Sequence, residues 1–365
     1  MVIGQFGKAI RDALAGTATG TGSIIDAAVG AARDTTVGAL RGTKDIAVEF
    51  EGLVSDVLKG AISATSEVGT ELGSAVKGAV IGVISGVGEV GVVTVGVLSD
   101  TVRAAIRGTG DVGGEVNVVA RGAVEGALET TKSVGLRAED MAFSIAQGAI
   151  AGTRDVGGDL GATAKDTIKG TVVGTHEVGG NLMEAIEDSA RGLIRGTSNV
   201  GGDVGSVTRR AAEGTIEAAA SVSLGLQDAA FSVARGAVHG TREVGGDLGA
   251  TARDTVSGTI TGTHQVGGNL LEAIEDSARG LIKGTAEVGG DVAGVARGAL
   301  EGAIETSGSV GLKAEDAASA VANGAVSAAG SFGEDTAKAV SGAVTESVSG
   351  VKAVLRAPLR DSVKS

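Results

Sequence analysis

The chain has 365 residues, of which 64 are glycine, one is proline and none is cysteine, and aromatic residues make up 1%. Large side chains supply most of the buried area of an ordinary enzyme core, so this composition argues against one, and the lack of cysteine excludes disulfides and thiolate metal sites. The net charge of −13 argues against nucleic acid as a partner, because that binding depends on neutralising phosphates.

An amphipathic segment is predicted at the N-terminus, over residues 1–19. Lys8 and Arg11 place charge where a signal peptide needs an apolar stretch. We therefore expect a cytoplasmic protein.

A repeat array is predicted over residues 20–349. A Gly-Thr-x-x-Val pattern at Gly152 recurs at Gly174 and Gly196, and before it at Gly108, in steps of 22 residues that divide into related halves of 11. A longer period of 88 is superimposed, since segments 152–195 and 240–283 differ at only 9 of 44 positions. Residues 350–365 follow the array as a C-terminal cap or tail.

The repeat predicts an all-α fold. Eleven residues make three turns at 3.67 residues per turn, which keeps one helix face apolar with a slight right-handed drift. The array then forms either one long amphipathic helix or helical hairpins that fold back at Gly-Gly pairs such as Gly157-Gly158. A β-solenoid with 22 residues per coil is disfavoured, because residues 182–191 do not alternate between apolar and polar as strands do.

The apolar face of these helices is the predicted interaction surface. Each glycine inside a helix costs about 1 kcal/mol relative to alanine, so we expect the helices to form where this face meets lipid or another copy of the chain. We call this surface the apolar stripe, and its representative residues are Val156, Leu160, Ile186, Leu193, Ile194, Val244, Leu248, Ile274, Leu281 and Ile282.

Segment 78–99 is more apolar than the rest of the array. Its only charged residue is Glu89, and 22 such residues are long enough to span a bilayer. The segment is predicted to be either a more deeply buried part of the array or inserted in a membrane. Its apolar residues include Val80, Ile81, Val83, Ile84, Val92 and Val93.

The sequence gives little indication of a catalytic, metal-binding or nucleotide-binding site. Two GxGxxG matches, at 86–91 and 108–113, lie within a helical pattern with no preceding strand, whereas a dinucleotide site needs a strand-to-helix turn. His176, His239 and His264 lack metal-ligand spacing and are expected to be exposed. The adjacent carboxylates Glu187-Asp188 and Glu275-Asp276 are expected on a solvated face. We predict no enzyme activity, no cofactor, no metal and no small-molecule substrate.

Units such as Gly42–Ile46 and residues 163–173 resemble the 11-residue repeats of perilipins and synucleins in their Thr, Lys, Asp, Gly and Val usage. The resemblance covers most of residues 20–350. It implies a chain that becomes a long helix on lipid droplets or membranes.

The leading hypothesis is a non-enzymatic structural protein that coats or scaffolds a lipid or other hydrophobic interface and self-associates, placed at the periphery of that surface in the cytoplasm. The alternative is a protein-only helical filament or bundle packed through Gly, Ala and Val faces. A desiccation-type protectant is the third hypothesis. The partners expected are lipid, copies of the chain, or both.

Overall fold

The computed structural model describes residues 4–17, 24–42, 46–68, 71–345, 350–351 and 353. Over these ranges the chain is helical and holds no β-strand, which confirms the all-α prediction. The segment predicted at 1–19 is described only from residue 4 to residue 17. Apart from residues 350, 351 and 353, the predicted tail 350–365 lies outside the described residues.

Sixteen α-helices occupy the described ranges, and a short 3₁₀ turn, Gly308–Val310, follows the fourteenth. The helices are α1 (Gln5–Thr17), α2 (Ile24–Gly42), α3 (Ile46–Val68), α4 (Leu72–Val90), α5 (Val95–Val112), α6 (Val116–Thr131), α7 (Ala138–Asp155), α8 (Leu160–Val178), α9 (Leu182–Asn199), α10 (Val204–Ser221), α11 (Leu226–Glu243), α12 (Leu248–Gln265), α13 (Leu270–Glu287), α14 (Val292–Ser307), α15 (Ala314–Gly330) and α16 (Glu334–Thr345).

Seven helices end at Gly-Gly pairs, and the chain folds back on itself, so the hairpin form of the prediction is the one adopted. These helices are α5, α7, α8, α9, α11, α12 and α13. After α11, Gly245 takes a left-handed φ of +69°, which an L side chain rarely adopts. The N–H of Gly245 donates to the carbonyl of Arg242 and that of Gly246 to the carbonyl of Thr241, at 3.2 and 2.9 Å. This is a Schellman motif, and it stops the helix.

The residue after each Gly-Gly pair restarts the chain as a helix. The Asp247 carboxylate accepts the backbone N–H groups of Gly249 and Ala250 at 2.8 and 3.1 Å. This N-cap satisfies donors that have no partner inside the first helical turn. In the repeats that end this way, one 22-residue unit is one helix, one Schellman turn and one cap. The N-cap residues of α7, α11 and α15 form no side-chain cap bond.

The helices form two layers, with odd-numbered helices in one and even-numbered helices in the other. Each helix contacts its sequence neighbour, but from α7 to α13 it packs more extensively against the helix two places along the chain. Neighbours in sequence are antiparallel, whereas helices two places apart are parallel. The structural repeat is thus a 44-residue hairpin.

Small side chains fill the space between the layers. The largest fully buried side chains are Ile and Leu, as at Ile186 and Leu193, and alanine, valine and threonine supply most of the rest. The Thr197 hydroxyl donates to the carbonyl of Leu193 at 2.7 Å, and the hydroxyls of Thr241 and Thr251 lie 2.8 Å apart across the layers. These bonds satisfy polar groups that are costly to bury unpaired.

Candidate functional site: the contacts within each layer

The apolar stripe lies mostly between the two layers of the same chain. Ile186, Leu193, Ile194, Ile274, Leu281 and Ile282 are buried. Val156, Leu160, Val244 and Leu248 are half-buried at the helix ends and turns. One chain therefore covers most of this surface with its own helices.

Segment 78–99 is divided between α4, the turn at residues 91–94 and the start of α5. Val80, Val83, Ile84 and Val93 are buried, Ile81 is half-buried, and Val92 is 82% exposed. By length and composition alone, α4 is the one described helix that could cross a membrane, and 56% of its apolar window is buried inside the fold.

A glycine near the middle of most helices lies close to the backbone of another helix in the same layer. A Cβ atom placed on Gly236 of α11 would lie less than 3.0 Å from the carbonyl oxygen of Glu187 in α9, a distance that real Cβ atoms essentially never show. We call Gly236 a close-contact residue and Glu187 its receiving residue. Twelve helices have a close-contact glycine: Gly60, Gly82, Gly126, Gly148, Gly170, Gly192, Gly214, Gly236, Gly258, Gly280, Gly302 and Gly324.

The register of these contacts is constant. From α6 to α15, each close-contact glycine meets the residue 49 positions earlier, as Gly236 meets Glu187 and Gly280 meets Phe231. Each receiving residue lies five positions before the close-contact residue of its own helix, as Glu187 lies before Gly192. The same parallel contact is therefore repeated along both layers.

The sequence analysis counted glycine as a cost to the helix and offered packing through Gly, Ala and Val faces as an alternative, without identifying this fixed column. A glycine repeated in the middle of a helical pattern indicates close backbone approach. That approach lets two helices pack at a shorter distance than large side chains allow.

Ion pairs follow the same contacts. In the even layer, Lys165 of α8 lies 2.8 Å from Glu213 and 2.6 Å from Glu217 of α10. In the odd layer, Arg103 of α5 lies 2.9 Å from Asp155 of α7. These pairs link parallel helices at a spacing of 48 or 52 residues.

The 88-residue period coincides with these ion pairs. Lys77–Glu129, Lys165–Glu217 and Arg253–Glu305 are equivalent pairs at intervals of 88 residues, with distances of 2.9, 2.6 and 2.7 Å. They join α4 to α6, α8 to α10 and α12 to α14. We call the packing of two parallel helices in one layer an in-layer contact. This ion pair thus occurs at every second in-layer contact of the even layer.

Glu213 is the most enclosed of these acidic groups, with 4% of its side chain exposed. It accepts hydrogen bonds from Lys165, Gln265 and Arg210 at 2.8, 3.0 and 2.9 Å. Burial by itself raises the pKa of the Glu213 carboxyl, but these hydrogen bonds outweigh burial and hold the pKa below its ordinary value. Glu213 therefore stays charged at the contact between three parallel helices.

The expectation that Glu187-Asp188 and Glu275-Asp276 lie on a solvated face needs correction. Asp188 and Asp276 have 28% and 16% of their side chains exposed, and burial is the main reason that the pKa of each is raised. Glu187 is 20% exposed and pairs with Arg235 at 2.9 Å. The sequence period alone does not show these contacts, because they join helices two repeats apart.

His239 also departs from the expectation. His176 and His264 are exposed, but His239 is 23% exposed and lies between Glu187 and Glu287, at 3.3 and 3.4 Å. The three residues belong to α9, α11 and α13, so His239 joins an in-layer contact. Among the described residues, no group of three or more His, Asp or Glu side chains could hold a metal ion.

The other candidate features have structural roles. The two GxGxxG matches fall at the C-terminal ends of α4 and α5, not at a strand-to-helix turn. An apolar cleft of about 540 Å³ is lined by Phe6, Leu40 and Leu53, and Asp56 lies at its edge. The Asp56 carboxylate accepts the backbone N–H groups of Gly4, Phe6 and Gly7. It is therefore engaged in starting α1.

Comparison with protein-family models finds no match for this chain. Comparison with curated proteins finds none either.

Proposed function

We propose that this chain is a non-enzymatic structural protein, a self-contained helical scaffold packed through its own Gly, Ala and Val faces. The observation that carries the proposal is the column of close-contact glycines. Twelve helices bring a glycine against a carbonyl oxygen of the parallel helix two places earlier. This is a close contact between two helices, repeated along the chain.

The glycine column favours protein packing over a lipid coat. Glycine destabilises a helix interior by about 1 kcal/mol relative to alanine, and a helix lying on lipid gains nothing in return. Against another helix, the same glycine allows close approach and extensive van der Waals contact. The apolar stripe supports the same interpretation, because Ile186 and Leu193 are already buried within the chain.

A lipid coat is the competing function, and the resemblance to perilipin and synuclein repeats remains a prediction. Adsorption to lipid would require the two layers to separate, so that stripe residues such as Ile186 and Ile274 could leave the core. A desiccation protectant would need neither lipid nor a defined packing. The scaffold and the lipid coat give different results in one experiment.

The experiment replaces close-contact glycines by leucine and measures both folding and flotation with phospholipid-coated oil droplets. Gly236→Leu with Gly280→Leu places side chains where carbonyl oxygens lie, so we expect a loss of several kcal/mol of stability by overpacking. The matched control is Gly342→Leu in α16, where no outside atom lies within 4 Å of a Cβ position.

A structural scaffold predicts that the wild-type protein stays out of the droplet layer and that only the double variant loses cooperative unfolding. The lipid coat would be favoured if the wild-type protein floats with the droplets and the double variant floats equally well or better. A double variant as stable as the control would contradict the role given to the glycines.

A further inference from the structure

The turns that follow the even-numbered helices from α6 to α14 alternate between two kinds. Those after α8 and α12 hold a Gly-Gly pair, whereas those after α6, α10 and α14 hold the sequence Ser-Val-x-Leu. In each Ser-Val-x-Leu turn the leucine N–H donates to the carbonyl five residues before it, at 2.8, 2.9 and 3.0 Å. The pairs are Leu136–Thr131, Leu224–Ala219 and Leu312–Ser307. The same turn therefore closes every fourth helix, at intervals of 88 residues.

Ser223 shows that the surrounding fold imposes the form of this turn. The residue between valine and leucine has a φ of +75° at Gly135 and +72° at Gly311, which suits glycine. Ser223 occupies the equivalent position with a φ of +57°, and it is the one residue other than glycine with a positive φ in the described part of the chain. A side chain in that conformation is strained and persists only where its neighbours fix the backbone. The turn is thus a part of a larger fixed unit.

The receiving residues of the odd layer alternate with the same period. From α7 to α13 they are, in order, Phe143, Glu187, Phe231 and Glu275. The guanidinium carbon of Arg195 lies 5.7 Å from the ring centre of Phe143, and Lys283 Nζ, 88 residues further on, lies 5.5 Å from the ring centre of Phe231. A helix moved by 88 residues therefore meets the same type of side chain, whereas a helix moved by 44 residues meets the other type.

Hydrogen bonds between the two layers follow this period too. The hydroxyls of Thr153 and Thr163 lie 3.0 Å apart, and those of Thr241 and Thr251, 88 residues further on, lie 2.8 Å apart. Halfway between the two pairs, the position equivalent to Thr163 holds Val207, which has no hydroxyl. Four helices, and not two, are therefore the smallest unit that repeats its side-chain contacts.

We propose that residues 152–239 are an exchangeable unit of four helices, and that the chain is a spacer whose length is set by the number of such units. Each unit adds two helices to each layer. At about 8–10 Å between packed helices, one unit lengthens the array by about 16–20 Å. The proposal rests on the scaffold function given above, because a chain that packs on its own faces can close over a missing unit.

The contacts expected after removal of the unit match those that they replace. Joining residue 151 to residue 240 brings Gly280 against Phe143, which lies 88 residues before its present receiving residue. In the even layer it brings Gly258 against Arg121, again 88 residues before the present one. Phenylalanine replaces phenylalanine and arginine replaces arginine, so neither contact changes its residue type.

The test deletes residues 152–239 and compares the product with a control that lacks only residues 152–195. The control removes one hairpin and keeps the larger core, but its contacts no longer match. It brings Gly236 against Phe143 and leaves Arg235 without Glu187, its partner at 2.9 Å. We expect the 88-residue deletion to unfold cooperatively in urea at a higher midpoint than the 44-residue deletion, although it has the smaller core.

Small-angle X-ray scattering of the wild type and of the 88-residue deletion measures the length of the array. We expect the maximum dimension to fall by about 16–20 Å. A deletion that fails to fold, or one that is no more stable than the control, would overturn the exchangeable unit, and an unchanged maximum dimension would overturn the spacer. Wild-type protein that becomes helical only with droplets would instead contradict the scaffold function, so the two failures are distinct.

Discussion

Gly245 and Gly236 lie in the same repeat, and the absence of a side chain serves a different purpose at each. At Gly245 it permits the left-handed φ that ends α11, and at Gly236 it permits contact with the carbonyl of Glu187. The sequence offered the first use as one of two alternatives to be decided, hairpins or one long helix, because Gly-Gly pairs are turn signals. It offered close packing through glycine as an alternative but did not identify the partner, which lies two helices away. The charged residues behave similarly, since Glu213 looks like an ordinary solvated residue until its neighbours Lys165 and Gln265 are known.

The pH dependence of stability tests the role of Glu213. Because the folded pKa of this carboxyl is lowered, its contribution to stability is present above the ordinary carboxyl pKa and is lost as pH falls through the folded pKa. We expect Glu213→Gln to lose about 1–3 kcal/mol at neutral pH, since it leaves Lys165 and Arg210 with a weaker acceptor.

The measurement is urea unfolding of both proteins between neutral and acidic pH. The difference between them should shrink as the pH falls, and a difference that is independent of pH would contradict the charged role of Glu213. Glu184→Gln is a suitable control, because Glu184 has 42% of its side chain exposed.

At the scale of the helix and its turn, the repeat could be predicted from the sequence, because each residue that starts or stops a helix acts locally. Asp247 as the N-cap, Gly245 as the C-terminal stop and the apolar residues between such signals all act within one 22-residue unit. The pairing of helices two places apart could not be predicted from the sequence. Periodicity shows which face of a helix is apolar but not which helix covers it. The apolar stripe was therefore assigned to lipid or another copy, whereas most of it packs against the chain's own helices.

The turn can be tested separately from the in-layer contact. Gly245→Ala forces an L side chain into a left-handed conformation, so we expect a loss of about 1–2 kcal/mol in stability. Gly308→Ala is the control, because its φ of −62° suits any residue and no outside atom lies within 4 Å of a Cβ position. Thermal unfolding followed by circular dichroism measures both, and equal midpoints for the two variants would contradict the role of the Schellman turn.

For the whole molecule, near-identical repeats create a problem of register. An array built from 44-residue hairpins could pair with a helix one repeat too far along, at little loss of apolar contact. Lys165–Glu217 and its equivalents recur every 88 residues, so a shift of one hairpin would separate these charges. The 88-residue period thus favours one alignment of the even layer, as charge patterns do in other repetitive assemblies.

A chain that covers most of its apolar stripe with its own helices needs no other surface to be helical. Far-UV circular dichroism of the wild-type protein, diluted in plain buffer and then mixed with phospholipid-coated droplets, tests this claim most directly. We expect strong helicity that persists on dilution and does not change when droplets are added. A coil spectrum in dilute buffer that becomes helical only with droplets would contradict it.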